Sequence, residues 1–142
     1  MDMTPEQMAK AMDTVSELKA AEKQDLIARF LGMKLEDLSP GRARVSMKLK
    51  PEYLNFDGVV FGAIIAAVAD QAFAYGSNSV AHPSVASQFN ICFLGAPSVN
   101  DELTAECQVV KNGRRVGISE ITVTNQDGRL IAKATGTTIP VG

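Results

Sequence analysis

Val59-Val60-Phe61-Gly62-Ala63-Ile64-Ile65-Ala66-Ala67-Val68-Ala69-Asp70-Gln71-Ala72-Phe73-Ala74-Tyr75 is apolar almost throughout, rich in alanine and free of proline. About 16 of these residues, from near Val60, read as a helix roughly 24 Å long. A helix that is apolar on nearly every side needs cover on nearly every side, so it belongs in the middle of a small domain. The rest of the fold follows from what can cover it.

On either side of this helix the apolar period is two. Before it, Ala43, Val45, Met47 and Leu49 alternate with Arg44, Ser46, Lys48 and Lys50, as a strand with one wet face requires. After it come four more strand patterns. Val85, Ser87, Phe89, Ile91 and Phe93 alternate up to the break at Gly95-Ala96-Pro97. Leu103, Ala105, Cys107 and Val109 alternate with Glu102, Thr104, Glu106 and Gln108. Asn112-Gly113 then predicts a tight two-residue hairpin turn, leading into a strand from Arg114 to about Thr124. Asp127-Gly128 predicts the next turn, and a last strand runs from Arg129 to Ile139. Its even positions, Leu130, Ala132, Ala134 and Gly136, shrink toward one end, which lets a helix approach closely. The expected order is strand, long helix, then a meander of antiparallel strands: one sheet wrapped around one helix. On the sheet's other face Val116, Ile118 and Ile131 stand among Glu120, Thr122 and Lys133, a pattern that predicts self-association.

The N-terminal segment is helical by period. Thr4-Pro5-Glu6-Gln7 is a capping box with proline at the first helical position, and Met8, Met12, Val15 and Leu18 form a packing stripe. A short second helix carries Leu26, Phe30 and Leu31 and stops near Gly32. Charged residues interrupt Met1 to Arg29 every few positions, so no signal core is read there, and the longest uninterrupted apolar stretch, Val59 to Ala69, is far shorter than the ~20 residues of a membrane span. A cytoplasmic location is the expectation.

Composition excludes several functions. The chain has 142 residues, enough for one domain with a core of its own, and a formal charge of −2. With no basic stripe, nucleic acid is not an expected partner. Cys92 and Cys107 are too few and too isolated for a zinc site or a disulfide framework, and both read as small buried hydrophobes in strands. The single histidine, His82, sits beside Pro83 in a loop, which leaves little to build a nucleophilic relay on.

Asp70 is the residue that the helix does not explain. It is the only charged residue in that run, with no lysine or arginine on the helix to pair with it. Aspartate is a poor helix-interior residue, and an ionised carboxylate in apolar surroundings costs several kcal/mol unless paired or wet. It is therefore either a functional acid or a hydrogen-bonding group at a loop or interface. Gly62 falls in the helix's first turn, where amide N–H groups lack partners and a missing Cβ admits a ligand oxygen. Such an amide suits an oxyanion, although Gly62 also fits close packing. Asn55 lies in the preceding loop, positioned either to reach these groups or to form an Asx turn.

Asn55-Phe56-Asp57-Gly58-Val59-Val60-Phe61-Gly62-Ala63, Ala69-Asp70-Gln71-Ala72-Phe73-Ala74 and Asn78-Ser79 together resemble the hotdog-fold acyl-CoA thioesterases, in the phenylacetate-degradation and 4-hydroxybenzoyl-CoA thioesterase branch. Asn55, Gly58, Gly62 and Asp70 stand at that family's Asn, Gly, Gly and Asp positions. The likeness continues through Asn90 to Leu94, Gly113-Arg114-Arg115 and Asp127 to Ala132. It implies an α+β hotdog fold, an antiparallel sheet around one central helix, over residues 33–142, with 1–32 as an N-terminal helical extension. It implies hydrolysis of an acyl-CoA thioester in sites shared between protomers of a dimer or dimer of dimers. Asp70 would be general base or nucleophile, the Gly62 amide of the other protomer would polarise the carbonyl, and Asn55 would position water or carbonyl. Phe61, Ser87 and Phe93 would line the acyl or pantetheine tunnel. Lys111, Gly113, Arg114, Arg115 and Val116 would meet coenzyme A, which is part of the substrate; no other cofactor and no metal is implied. The sequence departs from the family where Phe61 replaces its usual histidine and Ala63 its second glycine. These departures keep a non-catalytic acyl-CoA-binding module as the alternative.

Overall fold

The computed structural model describes residues 1–142. Helices α1 (Pro5–Ala21) and α2 (Leu26–Leu31) lead into strands β1 (Met33–Ser39) and β2 (Arg42–Lys48). The long helix α3 (Gly62–Asn78) follows, then β3 (Ser84–Phe93), β4 (Glu102–Asn112), β5 (Gly117–Thr124) and β6 (Leu130–Pro140). All six strands form one antiparallel sheet in the order β1-β2-β4-β5-β6-β3.

The sheet wraps α3, which contacts every strand. Ile65, Val68, Ala69, Ala72 and Phe73 of the helix are buried against Val45 and Met47 of β2, Leu103 and Ala105 of β4, and Ile121 and Val123 of β5. Two contacts set how close the helix lies. Gly76 rests on Cys107, whose Sγ would be 2.7 Å from any Cβ placed there, and the Phe73 ring lies on Gly136. The small row Ala132, Ala134, Gly136 therefore lies under the helix as its sequence predicts, while Leu130, beyond a register shift, is exposed. Helix α3 starts two residues after Val60 because Leu54 pairs with Val60 and the Phe61 N–H donates to the Tyr53 carbonyl at 2.9 Å, holding the chain extended. The Thr4 capping box on α1 is present. No helix is long and apolar enough to cross a membrane.

Several expectations need correction. Strand β1 has no counterpart in the sequence reading. The strands after α3 are not a simple meander, because β3 pairs with β6 and leaves β4 to pair with β2 and β5. The β4–β5 link is no two-residue Asn-Gly turn. It is a four-residue loop, Gly113 to Val116, closed by the Gly113 N–H on the Val116 carbonyl at 2.9 Å, so β5 starts at Gly117 and both arginines fall in the loop. Ile131 does not point outward: a register shift opposite Val123 and Thr124 makes it the extra residue, and it is fully buried. The outer sheet face thereby loses its strongest apolar member. Cys92 is exposed while Cys107 is buried. On α1, Ala11 and Val15 are buried with Leu18 packed beside them, and Met8 and Met12 are exposed.

Candidate active site

Helix α3 turns one side away from the sheet, and Ala63, Asp70 and Ala74 are exposed along it. The Asp70 carboxylate has no hydrogen bond and no ion pair within the protomer; the molecule's one salt bridge joins Lys34 and Glu36. No loop of the same chain therefore accounts for it. Apolar neighbours nonetheless desolvate it enough to raise its pKa above the ordinary carboxylate value. An open, unpartnered acid with a raised pKa is ready to exchange a proton.

Gly62 is the first residue of α3, and its N–H donates to no group in the protomer. The residue before it, Phe61, is the N-cap, yet it offers no side-chain acceptor to the first turn. Helices usually put Ser, Thr, Asp or Asn there, a preference worth about 1 kcal/mol, so this helix forgoes a side-chain cap at a cost; the Ile64 N–H turns back to the Phe61 carbonyl at 2.9 Å and Gly62 is left open. The Phe93 ring stands over Gly62, 3.4 Å from where a Cβ would be. Gly62 and Phe93, with Val59, Val60, Ile65 and Leu94, line an apolar groove of about 370 Å³. Phe61 is exposed beside it. Within one protomer Gly62 and Asp70 are eight residues apart on the helix, about 12 Å along its axis. One chain cannot put both on the same carbonyl group.

The remaining candidates are distributed unevenly. Asn55 Oδ1 accepts from the Asp57 and Val59 N–H groups at 2.9 and 3.1 Å, and Gly58 has φ 71°. Asn125-Gln126-Asp127-Gly128-Arg129 makes the same turn: Asn125 Oδ1 accepts from Asp127 and Arg129 at 3.0 and 2.9 Å, with Gly128 at φ 78°. The pattern Asn-x-Asp-Gly thus needs no catalytic explanation, and only the Asn55 Nδ2 donor is left for a ligand. Ser87 is an exposed bulge residue on β3, six residues and about 20 Å along the strand from Phe93, so the two do not line one groove within a protomer. Lys111, Arg114 and Arg115 are exposed on and beside the β4–β5 loop, with Gly113 and Val116 half-buried between them. Asn112 Nδ2 donates to the Val80 carbonyl, which ties this loop to the C-terminal end of α3, opposite Gly62.

The description of the thioesterase superfamily fits residues 57–132, a span running from the Asn55 loop through Gly62 and Asp70 into β6. The chain belongs to the thioesterase superfamily. The acyl-coenzyme A thioesterase PaaI of Escherichia coli is 32% identical over 84% of this chain and 86% of its own length. The solved structure of E. coli PaaI, from the phenylacetic acid degradation operon, superposes with a TM-score of 0.86 at 31% identity, covering 96% of each chain. A thioesterase structure from Streptococcus pneumoniae, solved with coenzyme A, gives a TM-score of 0.78 at 29% identity over 84% of this chain and 94% of that one. The sheet and helix are therefore a hotdog fold of the PaaI branch, and the protein is a thioester hydrolase.

One feature of this thioesterase is absent from the sequence reading. Asp25 caps α2 through Oδ1 to the Ala28 N–H at 3.0 Å, while Oδ2 accepts from Gln71 Nε2 at 2.6 Å and the Tyr75 hydroxyl at 3.0 Å. Burial first, then the Asp25 carboxylate, pushes the Tyr75 hydroxyl pKa up, so it stays a donor. The N-terminal helices are thereby fastened to α3 one residue beyond Asp70. The two cysteines also differ in reactivity. Burial pushes the Cys107 thiol up to about 11, which keeps it protonated, whereas Cys92 is exposed. Titration of native protein with a disulfide reagent is expected to find one fast thiol per chain, and a second only after denaturation.

Proposed function

We propose that this thioesterase hydrolyses acyl-CoA esters in sites shared by two copies of the chain. Asp70 of one copy acts as general base on water, or as nucleophile, and the Gly62 amide of the other polarises the thioester carbonyl. The observation that carries this reading is Asp70 itself: an unpaired carboxylate on an open helix face, about 12 Å from its own chain's free Gly62 amide. Pairing two copies would close that gap if the two-fold axis sets the helices antiparallel and offset, so that one helix's start lies beside the other's middle. Strand β3 supports such pairing. It is ten residues long, forms the sheet's edge beyond β6, and exposes Val85 and Phe93. A long unprotected edge of this kind is usually paired in the native assembly.

Water adds to the carbonyl carbon, the oxyanion is held by the Gly62 N–H, and collapse expels the thiolate of CoA, which takes up the proton that Asp70 removed. In the nucleophilic variant Asp70 attacks the carbonyl carbon and breaks the C–S bond, the CoA thiolate leaves, and water cleaves the resulting mixed anhydride to the acid and the regenerated carboxylate, releasing the proton that the thiolate takes up. The free Nδ2 of Asn55 would donate to water or carbonyl. Phe93 in the groove and exposed Phe61 next to Gly62 favour a fatty or aromatic acyl group. Lys111, Arg114 and Arg115 suit the phosphates of CoA.

Free-thiol release from a panel of short, long and aromatic acyl-CoAs tests the reading. Turnover of at least one class, strongest for apolar acyl groups, is the expected outcome. Binding without release for every ester would replace it with an acyl-CoA-binding module.

A further inference from the structure

Helix α2 is six residues long, tied at one end to the middle of α3 and at the other to the segment that starts α3. At the first end Asp25 does more than cap. Its Oδ1 takes the Ala28 N–H, which is all that an N-cap requires and which a serine hydroxyl would supply as well. Its Oδ2 takes Gln71 Nε2 at 2.6 Å and the Tyr75 hydroxyl at 3.0 Å, donors one turn apart on α3. At the second end the Leu31 carbonyl takes the hydroxyl of buried Tyr53, and the Tyr53 carbonyl takes the Phe61 N–H just before Gly62. From Gly62 to Ser77, α3 makes two side-chain hydrogen bonds to another element, and both end on Asp25 Oδ2; those of Ser77 stay within the helix.

We propose that Asp25 is a positioning residue for the hydrolysis: its carboxylate fixes the turn of α3 about its own axis, and thereby the direction in which Asp70 points. The inference rests on the acyl-CoA reading above and gives the N-terminal helices a part in the reaction. Asp70 adjoins Gln71 and has no partner of its own to aim it, so its aim is that of the helix. Packing governs the height of α3 through Phe73 on Gly136, whereas Ala69, Ala72 and Gly76 give the sheet small contacts without direction. Hydrogen bonds do have direction, and two donors on one oxygen resist rotation. The lever is short. A turn of ~10° moves a side-chain tip, about 6 Å from the axis, by ~1 Å, which costs on the order of 10²-fold in rate. Position is what this clamp supplies, not charge: desolvation is the one cause that raises the Asp70 pKa, and Asp25 adds nothing to it.

The test separates the clamp from the cap. Asp25→Ser keeps a capping oxygen but is too short to reach Gln71 and Tyr75. Asp25→Asn keeps the cap, and its Nδ2 can donate to a flipped Gln71 amide and to the Tyr75 oxygen, restoring the clamp without the charge. Both are assayed by thiol release from one good acyl-CoA across pH, below the melting temperature of either variant, with the oligomeric state followed by light scattering. Asp25→Ser is expected to lower kcat about 10–10²-fold with KM kept and the acid limb of the pH profile in place. Asp25→Asn is expected to recover most of that loss. If Asp25→Ser melts lower yet keeps the wild-type kcat, Asp25 only fastens the N-terminal helices and the positioning role is overturned. A displaced acid limb, or equal losses in both variants, overturns it too, because Asp25 would then act by its charge. So does a change of oligomeric state in Asp25→Ser, which would assign the clamp to assembly. Undiminished turnover in Asp70→Asn would instead overturn the parent reading, and this inference with it, whatever Asp25→Ser does.

Discussion

Asp70→Asn is expected to lower kcat for acyl-CoA hydrolysis by about 10²–10⁴-fold while leaving substrate binding nearly unchanged. The substitution keeps size and shape and removes only the ability to carry a negative charge, so lost turnover cannot be ascribed to a gap in packing. The carboxylate has no partner in the protomer, hence nothing else is unpaired by the change. Thiol release with a good substrate checks the rate, and tightly bound, unhydrolysed ester in the variant checks the binding. Unchanged turnover would move the chemistry to another group. In a single turnover in ¹⁸O-water, label recovered in the Asp70 carboxylate would mark the nucleophilic route.

The same residue links activity and stability to pH in opposite senses. Desolvation raises its pKa, so the ionised form, which the proposed mechanism requires, is lost on acidification earlier than for an ordinary carboxylate, and kcat/KM should fall on the acid side accordingly. Between the unfolded and the raised folded pKa the native state binds more protons than the unfolded chain, so in that window stability falls as pH rises. Asp70→Asn is uncharged at every pH. It should melt above the wild type at neutral pH, with the difference closing as the pH drops below the unfolded carboxylate range. A dead enzyme that is more stable is the signature of a residue kept for chemistry.

The sequence exposes Asp70 because a charge in an apolar run stands out against its neighbours, and it exposes α3 because so long an apolar segment has one economical cover. Other features leave no such trace. Strand β1 reads Met33-Lys34-Leu35-Glu36-Asp37-Leu38-Ser39, and a register shift between Leu35 and Asp37 breaks the period of two where a short strand most needs it. Ile131 is misread for the same reason, since each inserted residue flips the alternation beyond it. Asp25 has an evident local purpose as an N-cap, which conceals its bonds to Gln71 and Tyr75 some fifty positions along. The approach of Phe93 to Gly62 is likewise a product of topology: β3 lies beside β6, not where chain order would put it.

Gly136→Ala tests whether the helix is held at its observed height above the sheet. In an ordinary strand this replacement is favourable by roughly 0.5–1 kcal/mol, because alanine loses less backbone freedom on folding. Here a Cβ would run into the Phe73 ring, which is itself 1% exposed and stacked on Phe89 with ring centroids 5.7 Å apart. The ring has no empty space to retreat into, so the expected sign is reversed: a loss of about 1–3 kcal/mol, read from urea unfolding at fixed protein concentration. Phe73→Leu alone should also destabilise, by leaving part of the ring's volume empty. Combined, the two should cost less than their sum, by about 0.5–3 kcal/mol, because the shorter side chain makes room for the new methyl. A neutral or stabilising Gly136→Ala would mean that α3 can ride outward without penalty. It should not be free to do so, because Phe73 lies three residues from Asp70 on the same helix. On the proposed mechanism, lifting the helix by even ~1 Å would carry the carboxylate off its line to a thioester held by the other copy, a displacement that costs on the order of 10²-fold in rate. Gly136→Ala should therefore lower kcat at temperatures where the variant is still fully folded, and adding Phe73→Leu should restore part of it.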